Sequence, residues 1–283
     1  MIERGIHMDT YYVQSESTPR ANYPSINFIH KPVMIYYFVN PVCELCWSIE
    51  VILKKMAIQY GSLFNIRPII SNIFTDSINR CTTNRLQIWQ GNNRSFLSVG
   101  IKAAALQGNK AGRDFLKHIQ EAIFLYGTTN SIEDMLLKAA KHANLDMSEF
   151  QQDLFSPSAR KAFQGDIQLI QEMDVNQFPT FVFFSQYIED HSIKISGIHS
   201  YETYVYVLKN MVPTIDHSMS TMPTIEKYLK KYIRVQTNEI AFIFNLTIKK
   251  AECKLKQLQL KQQVKKKEMN GKCFWEYVGP GSR

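Results

Sequence analysis

An α/β protein in two modules is what this sequence predicts, and three observations predict it. A run of apolar, β-branched and aromatic residues from Val33 to Val39 reads as a buried strand and leads directly to Cys43-Glu44-Leu45-Cys46 at the head of a helical pattern. Strand signals are then scarce until Thr180-Phe181-Val182-Phe183-Phe184, so a long helical block separates the two parts of a sheet. The charge breaks late in the chain: residues 1–216 carry 19 Lys+Arg against 20 Asp+Glu, and residues 217–283 carry 14 against 5. A shift of this size marks a second module with a different surface.

Asn40-Pro41 ends the first strand. From Leu45, apolar residues recur at Ile49, Ile52, Leu53, Met56 and Tyr60, and Gly61 can stop the helix. Strand, short turn, Cys-x-x-Cys and amphipathic helix predict the entrance of a thioredoxin-like fold. Cys43 would sit at the helix N-terminus, where backbone N–H groups and the dipole favour a thiolate. Phe64–Ile70 is a second strand, weakened by Pro68. Helices are predicted over Ser95–Gln107 and over Lys110–Tyr126, the latter with Phe115, Ile119, Ala122 and Ile123 on one face. Ser131-Ile132-Glu133-Asp134 resembles a capping box with Asp in the place of Glu, and opens a helix that packs Met135, Leu136, Ala139 and Ala140 inward. Ser148–Phe155 and Ser158–Met173 complete the block. Thr180–Phe184 and Ile193–Ile198 read as strands, and Ser200–Met211 as a closing helix. This is the order of a helical domain inserted into a thioredoxin fold.

Pro213 and Pro223, with small polar residues between them, predict a linker. Beyond it, Thr224–Arg234 reads as a helix with Ile225, Tyr228, Leu229 and Tyr232 on one face. Thr237–Phe244 reads as a short helix capped by Thr237. Thr247 caps a longer one with Ile248, Ala251, Leu255 and Leu258 inward. Asn270-Gly271 signals a hairpin joining Val264–Met269 to Cys273–Val278, with Trp275 and Tyr277 on one side. Helix, helix, turn, helix, hairpin is the order of a winged helix. The expected organisation is a tail over 1–24, a thioredoxin-like domain over 25–212 with its insertion at about 75–173, a linker over 213–222, a winged-helix-like module over 223–278 and a tail over 279–283.

The strand with Asn40-Pro41-Val42-Cys43-Glu44-Leu45-Cys46-Trp47, the later Glu50, the helical insertion, Phe178-Pro179-Thr180 and the tail module resemble the DsbA superfamily, and within it the cytoplasmic SpxH (YjbH) family. Members of that family deliver the transcription factor Spx to the ClpXP protease. The resemblance covers nearly the whole chain past the N-terminal tail. It implies that Pro179 is the cis-proline facing the cysteine pair. It implies a proteolytic adapter, with Spx and ClpXP as partners and no cofactor.

Two departures from the wider superfamily bear on chemistry. DsbA oxidases carry Pro-His between the cysteines, where the His stabilises the thiolate; here Glu44 and Leu45 stand there. A carboxylate beside a thiolate raises its pKa and Leu offers no hydrogen bond, so a poor oxidant is expected. Some adapter relatives have a His-rich N-terminal run, whereas this one has only His7, and no zinc site is expected there.

The five cysteines, Cys43, Cys46, Cys81, Cys253 and Cys273, are an odd and scattered set, which is no secreted disulfide framework. No run of about 18 apolar residues predicts a membrane span, and Met1–Tyr23 has no signal-peptide pattern; the expected setting is the cytoplasm. Three readings of Cys43 and Cys46 stay open: a vestigial or modulatory pair, a redox pair with Cys43 attacking and Cys46 resolving, and metal ligation, disfavoured because a zinc site wants four ligands. Cys81, Cys253 and Cys273 read as ordinary thiols, His118 and His142 as packing or surface residues, and Trp47 and Trp89 as core, with an interface as the alternative if they are exposed. Lys249, Lys250, Lys254, Lys256, Lys261 and Lys265–Lys267 make a phosphate-friendly surface. The third helix of that module starts Thr247-Ile248-Lys249-Lys250, without the Arg, Asn or Gln that reads bases. The expected function is therefore an adapter for Spx degradation. A cytoplasmic thiol–disulfide oxidoreductase is the alternative and a basic winged-helix DNA binder the second.

Overall fold

The computed structural model describes residues 31–72, 92–126, 131–187, 192–212, 220–269 and 271–279. Strand β1 (Val33–Val39) is central, as its nearly unbroken apolar run requires. It pairs in parallel with β2 (Phe64–Ile70) and antiparallel with β3 (Thr180–Ser185), which pairs antiparallel with β4 (Ser192–Ser196). The order is β2-β1-β3-β4. Pro68 is tolerated because β2 is the edge strand, where a missing donor faces away from the ladder.

Between β1 and β2 the predicted single helix is interrupted. It comprises α1 (Glu44–Ser48) and α2 (Glu50–Tyr60), with Ile49 between them. The Tyr37 hydroxyl donates to the Cys46 carbonyl at 2.9 Å, the acceptor of an uninterrupted ladder at that point; a side chain reaching into the ladder is one of the few causes of a helix break.

The insertion comprises α3 (Asn92–Leu106), α4 (Asn109–Glu121), a π-helical turn (Ala122–Tyr126), α5 (Ile132–His142), α6 (Met147–Leu154) and α7 (Pro157–Glu172). The expected helix to Tyr126 thus changes winding at Ala122. Ser131 caps α5 by accepting from the Asp134 amide. Asp146 and Ser156 cap α6 and α7, which begin one residue before the expected starts at Ser148 and Ser158. Gly112 lets α4 lie against α3: a Cβ there would stand 2.7 Å from the Ala105 Cβ. Asp166 of α7 ties the insertion to the sheet by accepting the Ile70 amide at 2.7 Å, and Lys102 of α3 lies 2.5 Å from the same carboxylate oxygen.

The Phe178-Pro179 peptide is cis. Helix α8 (Tyr201–Asn210), capped by Ser200, closes this part. After it come α9 (Ile225–Tyr232), β5 (Arg234–Val235), α10 (Thr237–Ile243), α11 (Ile248–Leu260), β6 (Val264–Met269) and β7 (Lys272–Tyr277). The three strands form an antiparallel sheet in the order β5-β7-β6. Strand β5 was not legible as a two-residue element. Thr237 is inside α10, whose N-cap is Gln236; the Thr237 hydroxyl instead accepts from Trp275 Nε1 at 3.0 Å. Ile248, expected inward, is 57% exposed, while Ala251, Leu255 and Leu258 are buried. The Asn270 half of the hairpin signal and the linker at 213–219 lie outside the described residues.

Two cores result. The larger gathers the four-stranded sheet and the insertion. The smaller gathers Tyr228, Leu229, Ile240, Leu255 and Trp275, and Val51 and Ile58 of α2 pack against it. Helix α2 thus faces both modules.

Candidate functional site: the cysteine pair and the face behind it

Asn40 shapes the entry to the cysteine segment: its side-chain oxygen accepts from the Val42 amide at 3.1 Å and its carbonyl accepts from the Cys43 amide at 3.1 Å. Cys43 is the N-cap of α1, and both Cys43 and Cys46 are fully buried thiols. The thiolate-favouring helix terminus is therefore opposed by two effects: α1 has only 5 residues, and burial in apolar surroundings disfavours the charged form. Thr180, next to Pro179, pairs with Phe38 near the end of β1, so the cis-proline and the cysteines share one end of the sheet.

Tyr37 lies beneath the pair, stacked on Phe181 with ring centroids 4.8 Å apart. Its phenol is pushed well above its ordinary value, first by burial and then by the charges of Cys46, Glu50 and Cys43. The Glu50 carboxyl is raised by burial; Lys54 and Lys117 pull it down, Glu239 and Glu121 push it up. Burial therefore favours the neutral forms of both the Tyr37 phenol and the Glu50 carboxyl behind the thiols. Trp47 is half-buried rather than core and stacks on Phe124 of the π-helical turn at 6.0 Å, joining the cysteine segment to the insertion.

The far side of α2 carries a polar junction that sequence reasoning missed. Lys54 Nζ reaches Glu239 Oε1 at 2.8 Å, and the Tyr228 hydroxyl donates to the same oxygen at 2.6 Å. Burial, then Glu239, raise the Tyr228 phenol far above its usual range, and burial lifts Tyr232 to about 12. Lys55 donates to the Phe242 carbonyl at 3.0 Å and to Asn245 Oδ1 at 2.7 Å, and its ammonium lies 4.6 Å from the Phe242 ring centre. Ser220 donates to the Gln59 carbonyl at 2.9 Å. The readable signal was Lys54-Lys55 in the middle of an otherwise apolar helix: two adjacent cations there need partners outside their own module.

Cys253 and Cys273 are exposed; His118 and His142 are neighbours, their rings 5.6 Å apart. Cys81, Trp89 and His7 lie outside the described residues. Among the described residues no group of three or more His, Cys, Asp or Glu could hold a metal ion, and no helix is long and apolar enough to cross a membrane. The lysines of α11 and β6 are exposed. Chemically, the site offers a shielded dithiol at the same end of the sheet as a cis-proline, at the head of the helical segment whose α2 also packs against the C-terminal module.

The family model described as Thioredoxin matches residues 36–206. Proteins named ClpXP adapter protein SpxH are similar over most of their length. The one from Halalkalibacterium halodurans is 36% identical over 276 residues, covering 88% of this chain and 90% of its own. The one from Shouchella clausii is 37% identical over 269 residues, with 88% and 89% covered. The one from Bacillus subtilis is 34% identical over 269 residues, with 87% and 89% covered. A crystal structure from Nitrosomonas europaea, described as a candidate protein disulfide isomerase, superposes with a TM-score of 0.52 at 18% identity, covering 65% of this chain and 97% of that one; the likeness is one of fold.

Proposed function

The chain belongs to the SpxH family of ClpXP adapter proteins, and from that premise we propose that it binds Spx and promotes Spx degradation by ClpXP. The observation that carries this reading is the reach of the similarity. The Thioredoxin match ends at residue 206, whereas the adapters match over 88% of the chain, a stretch too long to stop there. The similarity to the relatives therefore runs past the dithiol fold into the C-terminal module. Adaptation needs no bond chemistry: surface complementarity that orders a flexible partner segment is enough. The cytoplasm, where ClpXP substrates are met, is the setting this reading requires. The test is a reconstituted assay in which Spx degradation by ClpXP is timed with and without the protein. Faster degradation is the expected result, and an unchanged rate overturns the reading.

The dithiol is modulatory in this reading. Replacing both Cys43 and Cys46 by Ser should leave the degradation rate within a few-fold of wild type, because a buried pair with Glu44-Leu45 between its members is poorly placed to supply a thiolate. A loss of about tenfold or more (~1.4 kcal/mol in the limiting step) with the fold intact would assign the thiols an essential role and favour the oxidoreductase alternative.

The elements α9 to β7 are in the order of a winged helix, and this reading takes them as a winged-helix-like protein-docking module. Its exposed lysines predict weak binding of the full chain to any duplex DNA, falling steeply with salt as counterions are released. Selection of one sequence motif near physiological salt would instead make the module a reader of DNA.

A further inference from the structure

A cavity of about 520 Å³ opens between the insertion and the C-terminal module. Its wall is apolar: Ala122, Met135, Ala139, the Tyr232 ring and Ile233. Its rim carries Lys117, His118, Lys138, His142 and Arg234, with Glu121 the single carboxylate among the described residues. Burial works against the Glu121 carboxylate, but His118, 3.0 Å away, and the Lys117 charge hold it below its ordinary range, so Glu121 is already engaged. Arg234 faces Glu276 at 2.8 Å. Lys138 is exposed and has no carboxylate at ion-pair distance among the described residues. The space is thus apolar inside, with Lys138 at its mouth as a cation that has no carboxylate partner among the described residues. A cavity of a few hundred Å³ at a module boundary, with few polar groups on an apolar wall, has the form of a binding pocket.

A second observation points the same way. Ile233 ends α9 at φ 60°, ψ −52°, a conformation that a β-branched residue rarely adopts. Two hydrogen bonds of 2.7 Å hold it there, from its own amide to Leu229 and from the Tyr277 amide to its carbonyl. The result is an aliphatic side chain left 47% exposed at the cavity wall. Strained residues held by their surroundings cluster at binding sites.

We propose that this cavity docks an acidic, apolar peptide segment of the protein presented for degradation. Carboxylates of the segment meet Lys138 and the imidazole rim, and an aliphatic side chain enters against Met135, Tyr232 and Ile233. The identity of the partner rests on the adapter reading; the peptide chemistry rests on the cavity.

The probes are two fluorescein-labelled six-residue peptides, one alternating Leu and Glu and one alternating Leu and Lys, titrated against the full chain by fluorescence anisotropy. The acidic peptide should bind at least about tenfold more tightly than the basic one. Lys138→Glu/His142→Glu should weaken the acidic peptide by a similar factor, and Lys161→Glu on α7 should leave it unchanged. If the double variant is misfolded by circular dichroism, Lys138→Gln decides in its place. Equal binding of the two peptides, or acidic-peptide binding indifferent to the rim substitutions, overturns the proposal. Spx should displace the bound acidic peptide, and Spx that binds without displacing it overturns the assignment of the segment. If Spx neither binds nor is degraded faster, the adapter reading falls, while the peptide titrations still decide the cavity.

Discussion

Lys102→Met is expected to destabilise the protein by about 3–5 kcal/mol, because it leaves a buried charge without its partner. Asp166 is 1% exposed, accepts the Ile70 amide and meets Lys102, and its Oδ1 has no hydrogen-bond partner among the described residues. Burial raises the Asp166 carboxyl and lowers the Lys102 ammonium, each against the attraction of the other. Desolvation outweighs the pair in both directions, so Lys102 already fails to compensate its partner fully. Removing it raises Asp166 further. A carboxyl whose folded pKa lies above its unfolded value binds more protons when folded, so its contribution is present at low pH and is lost as pH rises through the folded value. Lys102→Met should therefore lose more stability, relative to wild type, at pH 7.5 than at pH 5. Lys102→Met/Asp166→Asn keeps an acceptor for Ile70 but removes the charge, and should lose less than the single variant. Urea denaturation at the two pH values checks this. A single variant within about 1 kcal/mol of wild type, or a double variant worse than the single, would show that the pair does not hold the insertion to the sheet.

The sheet and its cysteine segment were legible because their physics is local. An apolar β-branched run, an Asn-Pro stop and a Cys-x-x-Cys before helical spacing each act within a few residues of themselves. Helix existence in the insertion was legible for the same reason. What escaped depends on partners far along the chain. The break at Ile49 is made by Tyr37 from the neighbouring strand. Thr237 looks like a cap by type, but the Trp275 ring nitrogen donates to its hydroxyl, and the cap moves to Gln236. Ile248 fits the helical stripe, yet it lies in the first turn of α11, ahead of the buried positions, and stays in solvent. Strand β5 exists only because β7 pairs with it, Val235 opposite Trp275. The docking face of α2 was hidden most completely. Lys54-Lys55 signals a need for partners, but only the fold brings Glu239, Phe242 and Asn245 to them from the other module.

That shared face makes Trp275 the residue whose loss should be felt furthest. Its side chain is fully buried, its Nε1 donates to Thr237, and it anchors the register of β7 against Val235 on one side and Lys266 on the other. Trp275→Ala is expected to cost about 3–5 kcal/mol as a cavity opens that the sheet cannot fill. The loss should not stop at the C-terminal module, because Val51 and Ile58 of α2 pack on the same core. Hydrogen exchange should therefore quicken over residues 225–277 and at α2, while β1 and β3, buried in the other core, keep their protection. Trp275→Phe retains most of the ring and loses the bond to Thr237, and should cost only about 1–3 kcal/mol. If the C-terminal module is what turns a dithiol fold into an adapter, Spx degradation should fall with Trp275→Ala by about tenfold or more at a temperature where the thioredoxin-like part is still folded. Quickened exchange in residues 225–277 with an unchanged degradation rate would separate the module from the function. Exchange that quickens equally in β1 and β3 would show instead that the two cores melt as one unit, with α2 as the element that couples them.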